Sequence, residues 1–141
     1  MTAATSVTPF VWPIRVYYED TDAQSVVYYA NYFRFMERAR TEWLRALGVD
    51  QSALLTVDRR MFVVTETKAE FIAPARFNDQ VVVTASLARL ARATFDIEQN
   101  IYLDRLGGKL LVRGSVTAAY LDADTLRPGR VPASIFEESS S

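Results

Sequence analysis

One amphipathic stripe constrains this chain more than anything else in it. Tyr32, Phe35, Met36, Ala39, Trp43, Ala46 and Leu47 recur at i, i+3, i+4 and i+7, the spacing of one face of a helix with a period of ~3.6 residues. Arg34, Arg38, Thr41, Glu42 and Arg45 fill the opposite face. No other segment carries this period so clearly, and the chain beyond it alternates with period two. A single striped helix succeeded by a run of strands predicts a sheet folded around that helix.

The rest of the chain supplies the strands. Residues 14–19 read as a first strand, followed by a tight polar elbow at Asp20, Thr21 and Asp22 that leads into the helix. Gly48 stands where a glycine stops a helix. Asp50, Gln51 and Ser52 open a short helical turn. Residues 61–73 form the second strand, with Met61, Val63, Thr65, Thr67, Ala69, Phe71 and Ala73 expected on one face; Pro74 ends it. After a turn at Asn78-Asp79, Val81, Val83, Ala85 and Leu87 give a third strand. Phe95, Ile97, Gln99, Ile101 and Leu103 line one face of a fourth. A hairpin turn at residues 104–108 leads to a fifth strand at 109–121, where Gly114 signals a bulge or a close backbone approach. Residues 131–138 are expected to add a terminal helix. The reading is one α+β domain over residues 12–138, with flexible ends at 1–11 and 139–141. A sheet that wraps one helix leaves edges open, so a homo-oligomer, at least a homodimer, is expected.

Composition narrows the chemistry. In 141 residues there is no cysteine and no histidine. That removes disulfides, thiolate metal sites, cysteine nucleophiles, histidine triads and histidine–zinc centres. A general base must be Asp or Glu, or a perturbed Lys or Tyr. No metal-ligand spacing and no glycine-rich phosphate loop appear. The net charge of −1 gives no basic footprint for nucleic acid. The first residues lack a basic segment followed by an apolar one, and no apolar run approaches the ~20 residues of a membrane span. A cytoplasmic protein is expected.

Two places draw attention. The elbow gathers Glu19, Asp20 and Asp22. Such acids can simply solubilise a turn or cap a helix. They can also do chemistry. A carboxylate held near a helix N-terminus faces free backbone N–H groups and a partial positive charge. A carbonyl oxygen bound there accepts from those N–H groups while the carboxylate attacks its carbon or activates water. Tyr28, Tyr29 and Tyr32 flank this point, and Glu37, about two turns into the helix, is a second carboxylate to test. The other place is the turn between the third and fourth strands. There Arg89, Arg92 and Thr94 form either a charged surface turn or a phosphate grip.

Three strings then carry a resemblance: Tyr18-Glu19-Asp20-Thr21-Asp22-Ala23, Val26-Val27-Tyr28-Tyr29-Ala30-Asn31-Tyr32 and Phe35-Met36-Glu37-Arg38-Ala39-Arg40-Thr41-Glu42, continued by Ala73-Pro74-Ala75-Arg76. Together they resemble the hotdog-fold 4-hydroxybenzoyl-CoA thioesterase family, and most closely its YbgC-type branch associated with the Tol–Pal envelope system. The resemblance implies an antiparallel sheet of five to six strands around a central helix, and hydrolysis of acyl-CoA thioesters at subunit interfaces in homodimers or homotetramers. It implies no cofactor, CoA being part of the substrate. By its motif Asp22 is the nucleophile or general base and the Tyr29 N–H polarises the carbonyl, while Arg92, with Arg89 and Thr94 beside it, contacts the CoA phosphates. The chain departs from the branch in having Tyr29 where histidine is common and Gln24-Ser25 where glycine is usual. A tyrosine, with a reference pKa of about 10, is no base at neutral pH unless strongly perturbed. These departures motivate an alternative, a module that binds acyl-CoA or acyl carrier protein with little turnover. A histidine-dependent hydratase on the same fold is disfavoured by the missing histidine.

Overall fold

The computed structural model describes residues 8–137. Its strands are β1 (Phe10–Arg15), β2 (Arg60–Phe71), β3 (Gln80–Leu90), β4 (Thr94–Leu103) and β5 (Leu110–Asp122). Its helices are α1 (Asn31–Ala46) and the short α2 (Gln51–Thr56). The five strands make one antiparallel sheet in the order β1-β3-β4-β5-β2. The α1 stripe of Tyr32, Phe35, Met36, Ala39 and Trp43 is buried, together with Leu44. Ala46 is exposed, so the stripe closes through Leu44 instead. Near the start of α1 the core holds Ile14, Val16, Val83, Ile101 and Val112; near its end it holds Phe95, Ile97, Tyr120 and Val131. Among the described residues, no helix is long and apolar enough to cross a membrane.

Several expected boundaries shift, each for a local reason. The first strand runs over Phe10–Arg15, not over 14–19, so Phe10 and Val11 pair with Ala85 and Thr84 instead of belonging to a loose arm. Residues 1–7 lie outside the described part. The strand ends early because the Asp20 carboxylate accepts the Tyr17 N–H (2.8 Å) and pulls Tyr18–Asp20 into a 3-10 turn. Pro13 is tolerated because β1 is an edge strand. At the other end of α1, Gly48 takes φ +94° and Val49 N–H bonds the Leu44 carbonyl at 2.9 Å, the close of a helix that needs a left-handed residue. Asp50 caps α2, accepting from Ser52 and Ala53 N–H. The terminal helix expected over 131–138 is a single 3-10 turn, Ala133–Phe136; Glu138 and residues 139–141 lie outside the described part.

The largest correction concerns β2. Its pairing with β5 slips between Val64 and Glu66, leaving Thr65 as an extra residue. Before the slip Phe62 and Val64 share the helix side with Phe95 and Ile97, where all four line one cavity. After it Thr67, Ala69 and Phe71 oppose Val116, Gly114 and Val112, which also face the helix. The bulge therefore delivers two apolar runs of opposite parity to one face, which uninterrupted alternation cannot do. Gly114 is a close approach and not a bulge. A Cβ there would lie 2.8 Å from Gln99 O and 2.8 Å from Met36 Cε. The neighbouring Gln99, fully buried, donates to the Met36 carbonyl at 2.9 Å and so ties the sheet to the middle of α1.

Candidate active site

The segment from Tyr17 to Asn31 is folded largely by its own hydrogen bonds, and is anchored from outside at Val16 by Asn78 and Asp79. The Asp20 carbonyl accepts from Tyr28 N–H (2.9 Å) and from Asn31 Nδ2 (2.9 Å), so the elbow is tied to the first residue of α1. Thr21 bridges Val27 in antiparallel fashion, and Asp22 N–H donates to the Val26 carbonyl (2.9 Å). Inside this small hairpin Ser25 N–H returns to the Asp22 carbonyl (3.0 Å), with Ser25 held at φ +66°. A serine there occupies backbone space that glycine enters at lower cost. Farther along, Val27 N–H donates to the Ala75 carbonyl (2.9 Å), and Val26 bridges Arg76.

Asp22 sits exposed on this frame. Its Oδ1 accepts the Gln24 N–H (2.9 Å), which fixes the carboxylate. Among the described residues nothing bonds Oδ2, which remains available to a substrate. None of the three acids of the elbow caps α1: its N-cap is Ala30, with no side-chain cap bond. Helix α1 begins at Asn31, two residues beyond Tyr29. The turn before it bonds Asn31 N–H to Tyr28 O, Tyr32 N–H to Tyr29 O and Phe33 N–H to Ala30 O. The amides of Tyr29 and Ala30 have no acceptor among the described residues. They open the positive end of a 16-residue helix, and the Tyr29 residue is more than half exposed. Beside them Val27, Tyr29, Tyr32, Phe71, Ile72, Ala73 and Pro74 line an apolar cavity of about 230 Å³. One short segment thus offers an oriented carboxylate with a free oxygen, free N–H donors and an apolar recess. That combination suits attack on an activated carbonyl.

The other candidates lie elsewhere. Glu37 is exposed and accepts the Thr41 hydroxyl (3.0 Å). It lines a separate cavity of about 220 Å³ with Arg40 and Thr41. Burial lowers the affinity of Arg40 for its proton, and Glu37 partly offsets this. Arg89, Arg92 and Thr94 sit at the β3–β4 turn, at the opposite end of the sheet from the elbow. The two places are separated by the length of β4, 10 residues, or about 30 Å at ~3.3 Å per residue. Arg89 Nε is paired with Asp96 Oδ2 at 3.1 Å. Asp96 also accepts the Thr117 hydroxyl (2.7 Å). Thr117 foremost, and Arg89 after it, hold the Asp96 carboxyl below the usual range. Arg92 is exposed and makes no ion pair among the described residues. Thr94 is half-buried.

Sequence patterns do not show the bonds by which two residues hold the site. Asn31 fixes the Asp20 carbonyl. Tyr32, which the periodicity shows only as part of the apolar stripe, accepts the Ala75 N–H at 2.9 Å through its buried hydroxyl. An asparagine at the first helical position is the available signal for Asn31. For Tyr32 there is none, since its partner is 43 residues away. Among the described residues no three Asp or Glu side chains gather as a metal site requires.

Residues 24–110 match the family model of the thioesterase superfamily. The chain belongs to that superfamily. It is 38% identical over 133 residues to the Escherichia coli acyl-CoA thioester hydrolase YbgC, covering 94% of this chain and 97% of that one. It is 36% identical over 126 residues to the Haemophilus influenzae acyl-CoA thioesterase YbgC, covering 89% and 90%. In fold it matches the crystal structure of a 4-hydroxybenzoyl-CoA thioesterase mutant complexed with 4-hydroxybenzoyl-CoA, with a TM-score of 0.83 and 18% identity over 92% of this chain and 96% of that one. The sheet and helix of this superfamily member are therefore the hotdog architecture that its motifs implied.

Proposed function

We propose that this chain hydrolyses acyl-CoA thioesters to a free acid and CoA. The observation that carries the proposal is the placement of Asp22, with one oxygen bonded and the other without a partner among the described residues, on the same backbone hairpin that presents the Tyr29 N–H, likewise without an acceptor among them, at the start of α1. The thioester oxygen accepts from that N–H, which stabilises the charge it gains as the carbon is attacked. Two routes share this geometry. As nucleophile, Asp22 adds to the thioester carbon, the C–S bond breaks, CoA leaves as thiolate and water then cleaves the mixed anhydride. As general base, Asp22 takes a proton from water as the water oxygen adds to that carbon, and returns it to the departing thiolate. The Tyr29 side chain takes neither role; its backbone N–H polarises the carbonyl in both.

The sheet supports a reading of the assembly and of the distal contacts. Strand β2 is an open edge of 12 residues. At and just past it Val64, Phe71 and Ile72 are at least 40% exposed. The other edge, β1, has 6 residues and contains a proline, so it is the poorer template. A second copy paired along β2 is the proposed homodimer. Since Arg92 lies at the far end of its own sheet, we assign it to the phosphates of a CoA bound to another copy. Arg89 joins it only by leaving Asp96. Acyl-CoA is the expected substrate and the cytoplasm the expected compartment. A carrier-protein thioester presents the same carbonyl, and comparing the two substrates decides between them.

The test is thiol release from short, long and aromatic acyl-CoAs by native protein and by Asp22→Asn. Release by the native protein and none by a folded Asp22→Asn supports the proposal. Full activity in Asp22→Asn refutes the role of that residue. Saturable binding with no release by native protein selects the binding module instead.

A further inference from the structure

We infer that Tyr32 is a positioning residue for the reaction, setting the gap between Asp22 and the Tyr29 N–H through Ala75. The inference rests on the proposed hydrolase activity and adds to it a residue that never touches the reacting atoms. Ala75 is fully buried and bonded on both sides. Its N–H donates to the Tyr32 hydroxyl (2.9 Å), and its carbonyl accepts the Val27 N–H (2.9 Å). Val27 follows Val26, whose carbonyl accepts the Asp22 N–H (2.9 Å). The route therefore runs from the first turn of α1, through Tyr32 and Ala75, to the backbone of Asp22. The Tyr29 amide is carried by that same first turn, whose Tyr32 N–H bonds the Tyr29 carbonyl (3.1 Å). Tyr32 is thus the one side chain of α1 that bonds the Ala75 strap on one side while its backbone holds the Tyr29 turn on the other.

The surroundings make this linkage stiff. Tyr32 is 3% exposed. Its ring packs edge-on against Phe35 and tilted against Phe71. Burial is the main reason its hydroxyl holds its proton more tightly than a free tyrosine, so it stays neutral over the working range of an enzyme. A neutral hydroxyl with a fixed ring is a constant acceptor for Ala75. A phenylalanine of the same shape leaves the ring packing intact and strands a buried N–H. The strap then shifts to find another partner, and the Asp22 hairpin moves with it. Small misplacements of this kind act on the chemical step more than on binding.

The experiment compares Tyr32→Phe with Ile97→Ala, a core variant at the other end of the helix, using the intact protein and short-chain acyl-CoA thiol release. Thermal unfolding is measured alongside. Tyr32→Phe is expected to lower kcat about tenfold while KM stays within twofold, and Ile97→Ala, at matched loss of thermal stability, keeps kcat within twofold. Hydrogen exchange at the Val27 and Asp22 amides is expected to accelerate in Tyr32→Phe only. A Tyr32→Phe kcat within twofold of native overturns the inference, as does an equal fall in Ile97→Ala. If Tyr32→Phe does not fold, 3-fluorotyrosine at position 32 weakens the acceptor without removing it; a two- to threefold fall in kcat then supports the inference and an unchanged kcat overturns it. Asp22→Asn is run in parallel. Full activity there removes the hydrolase reading itself, whereas an inactive Asp22→Asn beside a native-like Tyr32→Phe removes only the role of Tyr32.

Discussion

The two ends of the sheet treat their polar groups in opposite ways. At the β3–β4 end, Arg89, Asp96 and Thr117 satisfy one another across neighbouring strands. At the elbow, backbone bonds brace the chain on either side of Asp22 and Tyr29, yet a carboxylate oxygen and the amides of Tyr29 and Ala30 are left without partners among the described residues. Counting charges would favour the arginine-bearing end as the more reactive. Hydrogen-bond accounting favours the elbow, because a rigid frame around unspent donors and acceptors is what a reacting group can use. The arginine end is suited to holding something, and then chiefly through Arg92.

The contrast breaks most readily at Asp22. Asp22→Asn is expected to cost at least about a thousandfold in kcat with the unfolding temperature unchanged, measured by thiol release and calorimetry. Next in size is Arg92→Ala, which should raise KM for acyl-CoA roughly fivefold and leave kcat alone, the mark of lost phosphate contact; the same rise in KM with a substrate that lacks the nucleotide portion would remove Arg92 from phosphate binding. Asp96→Asn sharpens the comparison through pH. Its folded-state affinity for protons is lower than in the unfolded chain, so its stabilising contribution is complete above the ordinary Asp value of ~3.9 and is lost as pH falls through the lower folded value. Asp96→Asn should therefore lose about 1 kcal/mol at pH 7, and that deficit should shrink below about pH 4 in denaturant titrations. The value of kcat should not change. The smallest effect belongs to Ser25→Gly, which relieves a left-handed serine and should stabilise by about 0.5 kcal/mol, partly offset by the freer unfolded chain.

How much of the molecule is legible in its sequence depends on the range over which each signal acts. The α1 stripe, the Gly48 stop and the Asp50 cap are local, and they stand nearly where their patterns place them. The family strings point to Asp22 and Tyr29, whose frame is partly local and partly braced by Ala75 and Arg76 from far along the chain. Alternation misassigns the β2 face because a one-residue slip at Thr65 leaves no mark in it; Phe62 and Phe71 have opposite parity yet share a side. Arg89 shows its charge but not its partners, since Asp96 and Thr117 meet it only through strand register. Tyr32 shows its ring and hides its hydroxyl, because apolar spacing and a buried bond to Ala75 make the same demand on position 32.

The kink at Thr65 also restricts the company that the open border of the sheet can keep. A straight, unbroken border accepts almost any extended peptide, in many alignments. A bent one with a surplus residue matches only a strand carrying a compensating bend at the right place, and the nearest source of such a strand is another molecule of the same sequence. The irregularity that turns two greasy runs inward thus also narrows the set of strands that can pair with this border, discouraging the promiscuous stacking that leads to aggregates.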